Sequence, residues 1–427
     1  MNFELMHPSD EIVHMMQRIY RFGMTTTSGG NISILDNKGD IWITPAGVDK
    51  GSLTRGDIIR VRPDGKAVGP HKPSSELPFH QAIYQSRKDF KAVLHAHPSA
   101  LVAFSIARKI PDTRIIPQAY YICGTAGYAP YAVPGSMELG RNISRVFEKG
   151  FDTVLLENHG VVTGGDSLSR AFQRFETLDF CARIAVKAGI IGRVKTLTED
   201  QIRITQKDSL ILPEFSPDTH SSEEKELRDK ICEMVKRAYG QQLMISTEGT
   251  VSARLDKDSF IITPFGVDRR YIQSSDIVVI SHGKREIGKM PSRSVTLHIR
   301  IYEDHPEINA VVIAQPPNSL AFAVSDRTFD TRSIPESYIV LRNIPKLPFG
   351  VTSSDEAAVS KSFSKKSPVV LIENDCIITT GASLLQAYDR LEVAEFSARS
   401  LIYAESVGEL KPISGKEIEE IENAYPE

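Results

Sequence analysis

The feature that most limits how this chain can fold is that it repeats itself. Ile43-Thr44-Pro45-Ala46-Gly47-Val48-Asp49 returns as Ile262-Thr263-Pro264-Phe265-Gly266-Val267-Asp268, and Asp57-Ile58 returns as Asp276-Ile277, at an offset of 219 residues. The offset falls to 218 where His80 and Tyr84 meet His298 and Tyr302. It falls to 216 where Leu155-Leu156-Glu157-Asn158 meets Leu371-Ile372-Glu373-Asn374. Order is kept through Ala171 and Ala387, Arg174 and Arg390, and Glu176 and Glu392. Such a pattern is a tandem duplication of a domain of about 200 residues, and each copy is long enough to bury its own core.

Caps and breakers place the boundaries. Repeat one closes on Thr198-Glu199-Asp200-Gln201, and repeat two on Ser414-Gly415-Lys416-Glu417, each reading as a capping box before a short helix. Between the copies, Pro213 and Pro217 break the chain. Ser221-Ser222-Glu223-Glu224 then opens a helix with Leu227, Ile231, Val235 and Ala238 on one face, ending at Gly240. This helix mirrors the first one, Ile12, Met15, Ile19 and Phe22 before Gly23. The expected organisation is a domain over 1–207, a linker over 208–220 and a second domain over 221–427. Within each copy, short runs such as Ile41-Trp42-Ile43-Thr44 and Thr153-Val154-Leu155-Leu156 alternate with amphipathic stretches near 76–87, 136–148 and 167–188. The pattern predicts an α/β domain around a central sheet, antiparallel or mixed.

Composition narrows the function. With 51 Lys+Arg against 54 Asp+Glu, a net charge of −3, and no basic cluster, nothing prepares the chain to neutralise a run of phosphates, so nucleic acid is excluded as the main partner. No apolar run approaches the roughly 18 residues of a membrane span, and the first residues lack a signal-peptide pattern. The expectation is a cytoplasmic protein with no membrane partner. Cys123, Cys181, Cys232 and Cys376 lie too far apart for a thiolate metal site and read as buried apolar residues.

One constellation carries chemistry. His95-Ala96-His97 follows the apolar run Ala92-Val93-Leu94, and strand geometry puts residues i and i+2 on one face. His159, after a second apolar run, and Glu76, at the start of a predicted helix, offer a third imidazole and a carboxylate. That donor set suits zinc or a neighbouring divalent ion. An isolated His-x-His is commonly a structural pair, but the duplication argues otherwise here. In repeat two Glu76 becomes Ser294, His95 becomes Ile313, His97 becomes Gln315 and His159 becomes Asp375, while flanking Pro98/Pro316 and Asn158/Asn374 persist. Ligands of one ion lose their purpose jointly. Structural histidines would not. Beside Glu76, Ser74 and Ser75 precede the helix, where hydroxyls and exposed backbone N–H groups favour an anion. Ser28-Gly29-Gly30-Asn31 and Pro45-Ala46-Gly47 add polar turns. A ligand with a phosphate at one end and chelating oxygens a few bonds away fits both parts.

These residues resemble the class II aldolase/adducin family, which includes the L-fuculose-phosphate and L-rhamnulose-phosphate aldolases. The likeness rests on Ser28-Gly29-Gly30-Asn31-Ile32-Ser33, Thr44-Pro45-Ala46-Gly47, Pro73-Ser74-Ser75-Glu76 with His80, Val93-Leu94-His95-Ala96-His97-Pro98 and Glu157-Asn158-His159-Gly160. It spans essentially all of repeat one. Repeat two has the frame without the metal motif. The resemblance implies an α/β/α fold around a mostly antiparallel nine-stranded sheet in each copy. It implies Zn2+ (or Mn2+ or Co2+) on His95, His97 and His159, with Glu76 as ligand or acid/base. Phosphate would lie on Ser28, Asn31, Gly47, Ser74 and Ser75, with Ala46 standing where aldolases often carry a hydroxyl residue. Tyr120, or with a shift of register Tyr121, falls where the family places a tyrosine that acts across a subunit boundary. The implied reaction is zinc-dependent retro-aldol cleavage of a ketose 1-phosphate, a small phosphorylated sugar, to dihydroxyacetone phosphate and an aldehyde. The same scaffold also serves 4-epimerases and decarboxylases, and its adducin-like branch is a non-catalytic interaction module. Family members form four-fold rings, so a homodimer of this chain would form a four-domain ring, a pseudo-tetramer.

Overall fold

The computed structural model describes residues 6–205, 211–217 and 219–425; of the expected linker, residues 208–210 and 218 lie outside them. The chain divides into two compact units, one of residues 1–113 with 118–183 and the other of residues 114–117 with 184–427.

The first unit holds strands β1 (Asn31–Leu35), β2 (Ile41–Ile43), β3 (Ile59–Val61), β4 (Ala67–Val68), β5 (Ala92–Ala96), β6 (Gly127–Ala129), β7 (Thr153–Leu156) and β8 (Gly160–Gly165). They form one sheet in the order β4-β3-β2-β1-β5-β8-β7-β6. β6 and β7 pair in parallel; the other pairs are antiparallel. The central strand β5 is buried along its whole length, which is why it reads as an unbroken apolar run. Ala92, Leu94 and Ala96 pack with Ile12, Met16 and Ile19 of the helix Pro8–Arg21 and with Phe172 and Phe175. Val93 packs on the opposite side with Phe79 and Ile83 of the helix Leu77–Ser86 and with Ile143 and Phe147 of the helix Met137–Phe147. His95 shares that second side, its ring 5.6 Å from Phe79.

The second unit repeats the plan with β9 (Glu214–Phe215), β10 (Thr250–Arg254), β11 (Ser259–Ile262), β12 (Val278–Ser281), β13 (Lys284–Glu286), β14 (Ala310–Ala314), β15 (Lys346–Leu347), β16 (Val369–Ile372) and β17 (Ile377–Gly381). Their order is β15-β16-β17-β14-β10-β11-β12-β13-β9. Apart from β9 this is the first sheet's order, strand for strand. The registers agree as well, with Asn31 opposite His95 in one sheet and Thr250 opposite Ile313 in the other.

The expectation of nine strands in each copy is corrected: among the described residues the first sheet has eight and the second nine. The extra strand, β9, comes from the Pro-rich segment expected to be linker, and it pairs in parallel with the edge strand β13. β15 and β16 are parallel too, so both sheets are mixed although mostly antiparallel. The helix expected to stop at Gly240 does so, spanning Ser222–Gly240. Gln242, at φ 60°, takes the left-handed position that Gly23 takes at φ 66° in the first unit. All four cysteines are buried and unpaired, and no helix among the described residues is long and apolar enough to cross a membrane.

Candidate metal centre

The first unit gathers the predicted ligands at one end of its sheet. His95 lies near the end of β5, and its Nδ1–H donates to the Val161 carbonyl on β8 at 2.9 Å, leaving Nε2 as the free lone pair. His97 leaves the strand two residues later. Its backbone N–H donates to the Met24 carbonyl at 3.2 Å, and its Nε2 stands 3.0 Å from His95 Nε2. His159 sits in the tight turn between β7 and β8, behind Asn158 at φ 53°. The ligand atoms of the three imidazoles lie within 4.8 Å of one another. Glu76, the N-cap of the helix Leu77–Ser86, spans them with Oε2 at 3.3 Å from His95 Nε2 and Oε1 at 3.6 Å from His159 Nε2.

These residues fit a divalent ion. Donors about 2.0–2.1 Å from a tetrahedral ion stand about 3.3 Å from one another, and the three pairs just given lie at 3.0, 3.3 and 3.6 Å. Glu76 Oε1 is buried with no hydrogen-bond partner, 3.6 Å from His159 Nε2, and a buried acceptor left in this way is a cost that a cation removes. Burial holds the His95 imidazole well below the usual histidine range, with His97 and His159 lowering it further. Burial likewise lowers His97 and His159, against the opposing pull of Glu76. All three are neutral at neutral pH, the form that binds metal.

Two glycines make room. A Cβ at Gly29 would meet His97 Nδ1 at 2.9 Å, and one at Gly160 would meet His97 Cδ2 and the Ala96 carbonyl at 2.6 Å. Behind Glu76 runs a buried chain of hydrogen bonds. Asn31 Nδ2 donates to Glu76 Oε2 at 2.7 Å, and Asn31 Oδ1 meets His80 Nε2 at 2.5 Å. His80 Nδ1 meets Ser33 Oγ at 2.7 Å, which meets the Tyr84 hydroxyl at 2.8 Å. Burial pushes His80 down to about 3, so it stays neutral with Nε2–H pointing to Asn31. The sequence reading missed the part His80, Ser33 and Tyr84 play. The signal was available, because His80 and Tyr84 recur as His298 and Tyr302.

The polar turns expected to hold an anion border this cluster. A bridge between Pro45 and Pro73 sets the Gly47 turn, exposed at φ 68°, beside Ser74 and Ser75. Lys50 ties that turn to the Ser28 loop: its N–H donates to the Thr27 carbonyl at 2.9 Å, and its Nζ donates to the Pro45 carbonyl at 2.7 Å. Most of the N–H groups expected to be exposed ahead of the helix are engaged, the Ser75 N–H apart. Those of Ser74, Glu76, Leu77 and Phe79 are bonded to Thr44 O, Ser74 Oγ, Ser74 O and Glu76 O, and Pro78 has none. What this segment offers an anion is the hydroxyls of Ser74 and Ser75 and the Ser75 N–H. Asn31, expected among the anion contacts, is the residue that holds Glu76. Tyr120 is half-buried on the helix Pro117–Cys123, its ring 6.3 Å from that of Tyr121, and makes no described contact with the histidines or Glu76 of its own chain.

The second unit fills the same place differently. Thr250 Oγ1, Ser292 Oγ and Ser294 Oγ close a triangle of hydroxyl contacts at 2.6, 3.2 and 3.3 Å. Glu248 stands where the first unit has Gly29, and its Oε1 lies 3.5 Å from Arg293 Nη2. Ser252, His298 and Tyr302 keep the inner hydrogen bonds at 2.6 and 2.7 Å, but His298 Nε2 has no partner because Asn31 has become Thr250. Among the described residues, the histidine triad of the first unit is the sole group of three potential ligands.

Comparison with known proteins finds both repeats in one family. The class II aldolase and adducin N-terminal domain matches twice, over residues 10–186 and 229–402. A 5-deoxy-D-ribulose 1-phosphate aldolase of Bacillus thuringiensis is 33% identical over 202 residues, which is 45% of this chain and 91% of that protein. An L-fuculose phosphate aldolase of Methanococcus maripaludis is 34% identical, covering 41% of this chain and 93% of its own length. A 3-oxo-tetronate 4-phosphate decarboxylase of Pectobacterium atrosepticum is 31% identical, covering 45% and 89%.

Proposed function

Because the chain belongs to the class II aldolase and adducin N-terminal domain family, we propose that its first unit is a metal-dependent lyase cleaving a ketose 1-phosphate to dihydroxyacetone phosphate and a small aldehyde. The observation that carries this reading is the convergence of His95, His97, His159 and Glu76 in the first unit, against none of the four in the second. His95, His97 and His159 would hold the ion, zinc by donor set with manganese or cobalt as alternatives, and the ion supplies Lewis acidity for the negative charge that develops at C2 and C3 oxygens on scission.

The chain's own residues do the rest. Ser74, Ser75, Ser28 and the Gly47 turn bind the phosphate and so fix the sugar's register against Glu76. Asn31 clamps Glu76 Oε2 and leaves Oε1, the unpartnered oxygen, to carry a proton between C3 oxygen and C3 carbon. Tyr120, supplied by a neighbouring copy in a homodimer, would exchange the C4 hydroxyl proton. The second unit would then be structural.

The test joins metal analysis to product analysis. Wild-type protein is expected to hold about one zinc per chain, to lose it in His97→Ala, and to release dihydroxyacetone phosphate from a member of a ketose 1-phosphate panel. Intact, metal-loaded protein that cleaves none of the panel overturns the reading. The decarboxylase among the relatives favours a second reading, loss of CO2 from a phosphorylated 3-oxo acid by the same metal and Glu76. Carbon dioxide release without an aldehyde product would select it, and C4 inversion without cleavage would select an epimerase. A stable, active monomer in light scattering would remove the role given to Tyr120.

A further inference from the structure

The duplication leaves a second pair of equivalent places, far in sequence from the metal ligands. In the first unit a cavity of about 430 Å3 is lined by Lys149, Arg170, Arg174 and Asp152. In the second unit the corresponding cavity, about 550 Å3, is lined by Arg342, Lys365 and Arg390, with Ile339, Val340 and Tyr425 beside them. By the repeat alignment Lys365 matches Lys149, Arg390 matches Arg174 and Arg342 matches Gly124.

The two cavities differ in how their charge is balanced. In the first, Asp152 pairs with Arg174 and, at 2.8 Å, with Arg87. In the second, Pro368 stands in place of Asp152, so the acid is gone. Arg390 gives Nη1 to the Thr380 carbonyl at 2.6 Å and, among the described residues, has no carboxylate within ion-pair distance. Burial works against its charge, with only the adjacent Asp389 supporting it. Lys365 is exposed at the rim. Arg342 adds a third cation at a backbone φ of 52°, a left-handed conformation that Gly124 adopts freely and that is strained for a side-chain-bearing residue. Its guanidinium lies 5.4 Å from the centre of the Tyr338 ring and donates from Nη2 to the Tyr425 carbonyl at 2.7 Å, two contacts for a fork of five N–H groups. Three cations around one cavity, with no acid among the described residues of its lining, are an excess of positive charge that an anion would correct. The volume is that of a small-molecule pocket rather than of a single ion.

We propose that this cavity of the second unit binds the phosphate group of a small phosphorylated metabolite, separately from the metal centre. Lys365 and Arg390 provide the charge, Arg342 the planar fork, and the Ile339, Val340 and Tyr425 side the surface for the organic part.

The test is hydrogen exchange on the full chain with and without inorganic phosphate, sodium chloride at matched ionic strength serving as control. Phosphate is expected to protect segments around 339–342, 384–390 and 420–425. Lys365→Glu, a change at an exposed position outside the core, should weaken that protection at least 10-fold in phosphate concentration, and Arg390→Gln should do the same. His97→Ala should leave it unchanged. A ketose 1-phosphate protecting the same segments at 10-fold lower concentration identifies a phosphate ester as the occupant; equal concentrations identify inorganic phosphate. Protection confined to residues near 28, 47 and 74–76, or reproduced by chloride, or indifferent to Lys365→Glu, overturns the proposal.

Discussion

The two units of this chain are one architecture with and without a metal centre, and the comparison separates what holds the fold from what performs chemistry. Both keep the central strand order, the turn between Thr44 and Asp49 or Thr263 and Asp268, and a buried Ser-His-Tyr cluster. Lys50 and Arg269 do the same work in the two turns, each donating to the carbonyls of the proline and valine around the glycine. Where the units part, they part at Gly29, Asn31, Glu76, His95, His97 and His159. Glu248 shows that these changes are linked in space: a side chain at that position is compatible with Gln315 and would collide with His97. The frame tolerates loss of the whole donor set because strands and helices packed on both faces of the sheet supply the stability.

The largest expected effect breaks the comparison outright. His97→Ala should reduce bound zinc from about one per chain to near zero and turnover by roughly 1,000-fold or more, while Gln315→Ala in the second unit should change neither. Elemental analysis and a steady-state assay on the two variants decide it. If the Gln315 variant loses metal, the units are not divided as described.

Acid should separate the units next. Burial pushes both His80 and His298 down to about 3. The unfolded chain takes up these protons near pH 6.5, so it binds more protons than the folded chain between about 6.5 and 3. Stability is therefore full above that window and is lost as pH falls through it, by up to about 5 kcal/mol for each such histidine. The first unit adds His95, His97 and His159, all lowered in the same direction, and the second unit has no counterparts. Metal-free protein should lose its first unit at higher pH than its second. The chain's one tryptophan, Trp42, lies in the first unit, so its emission maximum should shift before far-UV circular dichroism collapses. Coincident transitions would contradict this order.

A third change carries one residue across. Gly29→Glu copies Glu248 into the first unit, where the new Cβ would lie 2.9 Å from His97 Nδ1 and 2.9 Å from Thr26 Oγ1. Zinc affinity should fall roughly 10- to 100-fold as His97 is displaced, with the fold kept, as in the second unit. A competitive chelator titration measures it, and an unchanged affinity would show that His97 does not depend on the space Gly29 leaves.

Much of this was legible in the sequence, for reasons that can be named. The duplication, the helices near 76–87 and 136–148 and the capping boxes at Thr198 and Ser414 follow from local spacing and side-chain caps, and the structure has them, the helices as Leu77–Ser86 and Met137–Phe147. His95 and His97 were legible because a strand puts alternate residues on one side. The strand count was not, since β9 is two residues long and exists only through pairing with β13 some 70 residues away. Gln242 in a left-handed cap was also hidden, because that position ordinarily selects glycine. At the site, Asn31 was readable as a polar residue near a turn. That its amide joins Glu76 to His80, across 45 and 49 residues of sequence, required the fold.

That link supports the smallest and most discriminating change. Asn31→Thr installs the residue found at Thr250, keeps the metal ligands, and cuts Glu76 from His80. His80 Nε2 would be left without a partner, but His298 Nε2 has none in the second unit, where the fold bears it. The loss of stability should therefore stay within about 1–3 kcal/mol. Glu76 would keep its place at the helix N-cap but lose the donor that fixes Oε2, so the carboxylate could turn away from the proton path. Zinc stoichiometry should remain near one per chain, KM for a ketose 1-phosphate should change little, and kcat should fall roughly 10-fold. Asn31→Asp, which keeps the shape but sets a carboxylate against Glu76 Oε2, should fare worse than Thr. A rise in KM with kcat intact would instead return Asn31 to the phosphate contacts, and the buried chain through His80 would then be only part of the frame that both units share.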